Sequence, residues 1–358
     1  MDARSDLVPT RLEHITADWL GAFLRTRTPD VQVEGIEVLD RTQGAATRLR
    51  VRVRYGPGAD GGLPEVLFVK TSLTRQMLVA DPHMYLTEVY FYDRIRPGIE
   101  FETPAVYACE IDEQTNRFAV VIEDIAQRSA RFPSALSGLT GADLLPLMTT
   151  LAALHAANWD RSDLQARYPW LESATTGKTA EWWLSNEGRQ SFDIELQEDY
   201  KRAAVEPERN PVDRMYQAFA RLQAASDSGP RTVLHGDVHI ANTYQLSDGF
   251  GLLDWQLMRV ATWANDVSYP IVTGLDVDER RASERELLRH YLAELKLRGV
   301  DAPSWNEAWR SYRQQALWGV VTWTVTPTAM YSRELLDALI RRAVTAVDDL
   351  DTYASLDL

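Results

Sequence analysis

The sequence predicts an α+β chain in which a small antiparallel β-sheet lobe precedes a larger, mainly helical one. Three observations carry this. RLRVRVRY (48–55) alternates basic and apolar residues strictly, the period of a strand with one buried face. Beyond residue 125 apolar positions recur at helical spacing instead. Ten of the eleven tryptophans also lie after residue 150, so most of the large aromatic material belongs to the second part. A chain of 358 residues accommodates two domains, and the division is expected between 1–124 and 125–358, with a hinge at about 121–127.

In order along the chain, VEGIEVLD (33–40) reads as a strand and TQGAAT (42–47) as a polar, small-residue break. In 48–55 the residues Leu49, Val51, Val53 and Tyr55 share one face, and four arginines form a solvated face. PGADGG (57–62) is turn material and EVLFVK (65–70) the next strand. HMYLTEVYFYDRI (83–95) suits one amphipathic helix, ended by Arg96-Pro97-Gly98. AVYACEI (105–111) and RFAVVIED (117–124) complete a five-stranded antiparallel sheet with one helix. Helices are then expected at 139–159, capped by Thr140, and at 212–226, 280–298, 304–324 and 333–355. A strand-and-loop island, TVLHGDVHIANTYQLSDGFGLLDW (232–255), interrupts them. Residues 160–215 offer no decodable pattern.

Composition excludes several functions. The formal net charge of −14 repels phosphate backbones and anionic lipid, so neither nucleic acid nor a membrane surface is an expected partner. One cysteine, Cys109, leaves no internal disulfide framework and no thiolate metal cluster. The opening MDARSDLVPTRLEHITADWL lacks a secretory layout, and the apolar stretches fall short of a membrane span, so the expected compartment is the cytoplasm. Only four lysines occur: Lys70, Lys178, Lys201 and Lys296.

The island holds the chemistry. His235-Gly236-Asp237-Val238-His239-Ile240-Ala241-Asn242 is followed by Leu252-Leu253-Asp254-Trp255. YQLSDGFGLLD, turning at Ser247-Asp248-Gly249, reads as a hairpin, which would bring Asn242 and Asp254 to one site. Hard oxygen donors of this kind suit Mg²⁺ shared with nucleotide phosphates. Asp237 is then placed to orient or deprotonate an attacking hydroxyl. Two other readings use the same residues. One is a purely structural hairpin. The other is a metal hydrolase, because His235, Asp237 and His239 alternate and would share one face of a strand.

The ordered set H-G-D-x-H-x-x-N followed by Asp254, with the LAALHAANW helix and Asp266 in WANDVSY, resembles the aminoglycoside phosphotransferase and choline-kinase-like branch of the protein-kinase fold. The resemblance covers roughly residues 35–270, and VIEDI with the Trp-rich helical part looks most like the ecdysteroid-kinase-like branch. It implies a two-lobed kinase-like fold and transfer of the γ-phosphate of ATP, with Mg²⁺, to a small-molecule hydroxyl. Asp237 would be catalytic, while Asn242 and Asp254 would hold the metal. Lys70 would contact phosphate, held by Glu88. Gly44, Ala45 and Thr47 would take the phosphate-loop position, although one glycine departs from a Gly-rich loop. Glu123 and Ile125, in VIEDI, would lie at the adenine edge. His235, His239 and Asp266 would support the loop, Asp266 also by capping its helix, whereas His155 reads as a satisfied core histidine. No A-P-E-type segment follows Asp254, which points away from a protein substrate. The narrower alternatives are an aminoglycoside antibiotic kinase and a nucleotide-binding protein without turnover. The abundance of tryptophan, Trp182-Trp183 included, favours a bulky, partly apolar alcohol as acceptor.

Overall fold

The computed structural model describes residues 7–43, 46–73, 83–247 and 249–358. It divides into two compact units, Met1–Arg131 with Leu253–Leu257, and Phe132–Leu252 with Met258–Leu358. The first unit holds strands β1 (Val33–Gln43), β2 (Thr47–Tyr55), β3 (Val66–Thr71), β4 (Val106–Asp112) and β5 (Arg117–Glu123). They form one antiparallel sheet in the order β1-β2-β3-β5-β4.

Alternation decides what each face of this sheet does. Leu49, Val51 and Val53 of β2, Leu67 and Val69 of β3, and Ala119 and Val121 of β5 pack with Leu20, Phe23 and Leu24. These last three belong to a helix, Ala17–Leu24, that the strand-centred reading omits. Eight residues are too few to show clear periodicity, although Thr16 caps the helix by accepting from the Trp19 N–H at 3.2 Å. The opposite face carries Phe118 of β5, which stacks on Tyr85 of helix His83–Tyr90 with ring centroids 4.7 Å apart. The predicted helix 83–95 is α-helical only to Tyr90 and continues as a π-helical turn, Phe91–Ile95.

In the second unit the predicted helices appear as Gly141–Ala156, Val212–Ser226, Val277–Leu297, Trp305–Val325 and Arg333–Asp349. Thr140 caps the first through a reciprocal pair with Asp143, and Ser304 and Glu307 do the same for Trp305–Val325. The last predicted helix breaks at Asp351, whose φ of +46° is left-handed, and resumes for one turn at Thr352–Ser355. The undecoded stretch holds short helices: Leu164–Arg167, Lys178–Leu184, Asn186–Glu195 and Asp199–Val205. Strand β7 (Arg231–Leu234) pairs with β10 (Arg259–Thr262), which also meets the two-residue β6 (Glu172–Ser173).

The hairpin forms as predicted, from β8 (Thr243–Leu246) and β9 (Gly249–Leu252). Gly251 is opposite Tyr244, and a side chain there would overlap the buried Tyr244 ring, so the hairpin needs glycine at that position. No helix among the described residues is long and apolar enough to cross a membrane.

Candidate functional site

The first unit gathers charge on one face of its sheet. Lys70 is 4% exposed, and its Nζ lies 2.8 Å from Glu88 Oε2 on helix His83–Tyr90. Burial pushes the Glu88 carboxyl above its ordinary range, against the lowering pull of Lys70. Lys70 Nζ also reaches Asp254 Oδ1 at 3.0 Å.

Asp254 is carried by a segment anchored through the two residues that follow it, Trp255 and Gln256. The Trp255 ring stacks on Phe91 with centroids 3.6 Å apart, and its Nε1–H donates to Thr103 Oγ1 at 3.2 Å. The Thr87 hydroxyl, one residue before Glu88, donates to the Gln256 carbonyl at 2.6 Å. Asp254 itself has φ +65°, a left-handed conformation that aspartate tolerates better than β-branched residues.

The arginine face of β2 is not simply solvated, as its alternation implied. Arg50 donates twice to Asp124 Oδ2, at 2.8 and 3.0 Å, and Asp124 is 5% exposed. Asp124 also caps the short 3₁₀ turn that begins at Ile125. Arg48 lies 3.5 Å from Asp254 Oδ2. Glu123 uses its N–H on the Ala105 carbonyl at 2.9 Å, and Ile125 is buried. Thr47, buried at the start of β2, donates its hydroxyl to Gln43 Oε1 at 2.7 Å. Gly44 and Ala45 lie outside the described residues.

In the second unit the H-G-D-x-H-x-x-N run is a loop, not a strand. The alternation of His235, Asp237 and His239 therefore does not translate into one strand face. Gly236, with φ +84°, bends the chain so that the N–H groups of His235 and Gly236 both reach Asp266, at 2.7 Å to Oδ2 and 2.9 Å to Oδ1. Asp266 lies in the first turn of helix Ala264–Gly274 but does not cap it. Its carboxylate is spent on the loop and on His155, whose Nε2 is 3.2 Å from Oδ2. His155 is fully buried and also bonded to the Tyr291 hydroxyl at 2.8 Å. Burial would raise the Asp266 carboxyl, but the bonds from His155 and Gly236 and the charge of His235 hold it below its ordinary value.

Within this loop Asn242 Nδ2 donates to the Asp237 carbonyl at 3.0 Å and to Asp237 Oδ2 at 3.1 Å. Its nitrogen is thus committed, which leaves the amide oxygen as the atom for a cation. His239 Nε2 stands 3.6 Å from Asp237 Oδ2, whose side chain keeps 22% of its surface exposed. Pairing of Thr243 with Leu252 fixes the hairpin base, which Asn242 precedes and Leu253-Asp254 follows along the chain. As donors, the Asn242 oxygen and the Asp254 carboxylate fit Mg²⁺, and Lys70 fits phosphate. Among the described residues no three His, Cys, Asp or Glu side chains gather as a metal cluster.

Aromatic rings surround His239: Trp323 edge-on at 5.3 Å between centroids, Tyr269 at 6.3 Å, and Tyr331 5.6 Å beyond Trp323. The Tyr269 hydroxyl and Trp323 Nε1 are buried with no hydrogen-bond partner among the described residues. Trp182 is 40% exposed, whereas Trp183 packs against Phe219 and Trp318. Sequence reasoning missed Arg48, Arg50 and Tyr269. The signal was available for the arginines, because even-numbered residues of β2 share the face that bears Lys70.

Comparison with known proteins bears on the fold and the family. The choline kinase from Cryptosporidium parvum Iowa II aligns over 95% of each chain with a TM-score of 0.56 at 10% identity. A point mutant of an aminoglycoside 2'-phosphotransferase, type IIIa, in complex with GDP aligns over 94% of this chain and 97% of its own, with a TM-score of 0.51 at 11% identity. These likenesses establish the kinase-like fold. No curated protein sequence matches. The model of the ecdysteroid kinase-like family matches residues 45–299, well over half of the chain. The protein therefore belongs to the ecdysteroid kinase-like family and is a kinase-like enzyme.

Proposed function

We propose that the protein is an ATP- and Mg²⁺-dependent phosphotransferase that moves the γ-phosphoryl group of ATP to a hydroxyl of a small molecule in the cytoplasm. When bound, ATP supplies the phosphoryl group and Mg²⁺ neutralises charge on its phosphates. The observation that carries the reading is the buried Lys70, held by Glu88 and reaching Asp254. A lysine sealed among carboxylates is a costly arrangement for packing alone, and a natural one for presenting a fixed positive charge to phosphate. Asp254 and the Asn242 oxygen would hold the metal. Asp237, positioned by Asn242 and partly exposed, would accept the proton of the acceptor hydroxyl. His235, Gly236 and Asp266 keep the loop in place, so most of the catalytic effect is positioning and fixed charge.

For the acceptor, the rings of His239, Tyr269, Trp323 and Tyr331 favour a bulky, partly apolar alcohol. The buried Tyr269 hydroxyl and Trp323 N–H would then pair with further oxygens of that molecule. With a net charge of −14, nucleic acid and anionic membranes are not proposed as partners. The test is ATP consumption measured across alcohols spanning aminosugars, amino alcohols and sterol-like compounds. Turnover of apolar alcohols is expected. Efficient phosphorylation of aminoglycosides alone would overturn the acceptor class, and nucleotide binding without turnover of any compound would overturn catalysis.

A further inference from the structure

Strand register sets Arg48 on β2 directly opposite Lys70 on β3. Like charges at such opposed positions destabilise an antiparallel pair unless an anion lies between them. Here Asp254 fills that place, with Lys70 on Oδ1 at 3.0 Å and Arg48 on Oδ2 at 3.5 Å. The two cations differ in seating. The Lys70 side chain is 5% exposed and also bonded to Glu88, whereas that of Arg48 is 40% exposed at the longer distance.

Building on the nucleotide roles proposed above for Lys70 and Asp254, we propose that Arg48 is a second phosphate-contacting cation, which exchanges Asp254 for polyphosphate oxygens when nucleotide binds. Three features favour this. If a divalent cation takes up the Asp254 oxygens, Lys70 keeps Glu88 as a counter-charge, while Arg48 loses the carboxylate beside it. Arg48 immediately follows Thr47, whose own hydroxyl is committed to Gln43 Oε1 at 2.7 Å, so that Arg48 is the next side chain able to donate there. Finally, a guanidinium fork matches phosphate with two parallel hydrogen bonds, which an ammonium does not.

The test is calorimetric binding of AMP, ADP and ATP, each with Mg²⁺, to the full chain as wild type, Arg48→Gln and Arg48→Lys. Loss of a charged hydrogen-bonding partner is expected to weaken ATP and ADP by about 10- to 100-fold in Arg48→Gln. AMP should bind within about twofold of wild type, and Arg48→Lys should be intermediate, since charge survives without the fork. A purely structural role would weaken all three nucleotides together and lower the melting temperature; that pattern, or unchanged ATP affinity, overturns the proposal. A wild-type protein that binds none of the three removes the nucleotide reading and this inference with it. Normal ATP binding and turnover in Arg48→Gln removes only the inference.

Discussion

Lys70 is nearly inaccessible, which sets what its removal does. Lys70→Met leaves Glu88, 2% exposed, without its cation, and a buried carboxylate stripped of its partner costs about 3–5 kcal/mol. We expect Lys70→Met to melt well below wild type and the double variant K70M/E88Q to recover much of the loss, as read by thermal denaturation. Equal melting of the two would mean that the stranded Glu88 carboxylate is not the source of the loss. Both residues were legible from VLFVK and the helix eighteen positions on. That Lys70 also reaches Asp254 was not, because the contact joins positions 184 apart in the chain. Arg48 and Arg50 show the complementary failure. Alternation fixes their face, but not which carboxylates meet them there.

At the scale of elements, the loop bearing Asp237 depends on one carboxylate from a different element. Asp266→Asn replaces an acceptor of two backbone N–H bonds by a group that can accept at only one end. The expected loss is about 1–3 kcal/mol in urea denaturation at neutral pH. The pH dependence has a definite sign. Because the folded carboxyl titrates below its unfolded value, near 3.9, its contribution is complete above about pH 5 and is lost as pH falls through the lower folded value. Asp266→Asn should therefore lose stability at neutral pH and show a shallower decline on acidification than wild type; parallel acid limbs would contradict this. Long helices and alternating strands were legible because their periods persist over several turns or pairs. The short helices between 164 and 205 were not, since four to ten residues hardly establish a 3.6 period. Helix Ala17–Leu24 escaped for the same reason, despite its Thr16 cap.

For the whole molecule, any ligand that binds only the folded state stabilises it by mass action, about 2.7 kcal/mol at a hundredfold excess over Kd. We expect ATP with Mg²⁺ to raise the melting temperature by several degrees and chelation of the metal by EDTA to abolish most of that shift. Asp254→Ala should show a smaller shift than Asn242→Ala, because a carboxylate holds a divalent cation more strongly than an amide. An identical shift with and without metal would remove Asp254 and Asn242 from metal binding. The family was legible at this scale because its motifs are ordered along the chain. The acceptor was not, because the rings proposed to receive it include residues as distant in the chain as His239 and Trp323, whose proximity only the fold supplies.

The most direct test follows the γ-phosphoryl group itself. The protein is incubated with γ-labelled ATP, Mg²⁺ and the mixed alcohols, and wild type is compared with Asp237→Asn at equal nucleotide occupancy. Wild type should place the label on an alcohol, and Asp237→Asn should do so about 10²- to 10⁴-fold more slowly while binding ATP normally. Transfer at an unchanged rate in Asp237→Asn, or no labelled alcohol from a wild type saturated with Mg²⁺ and ATP, would contradict the account.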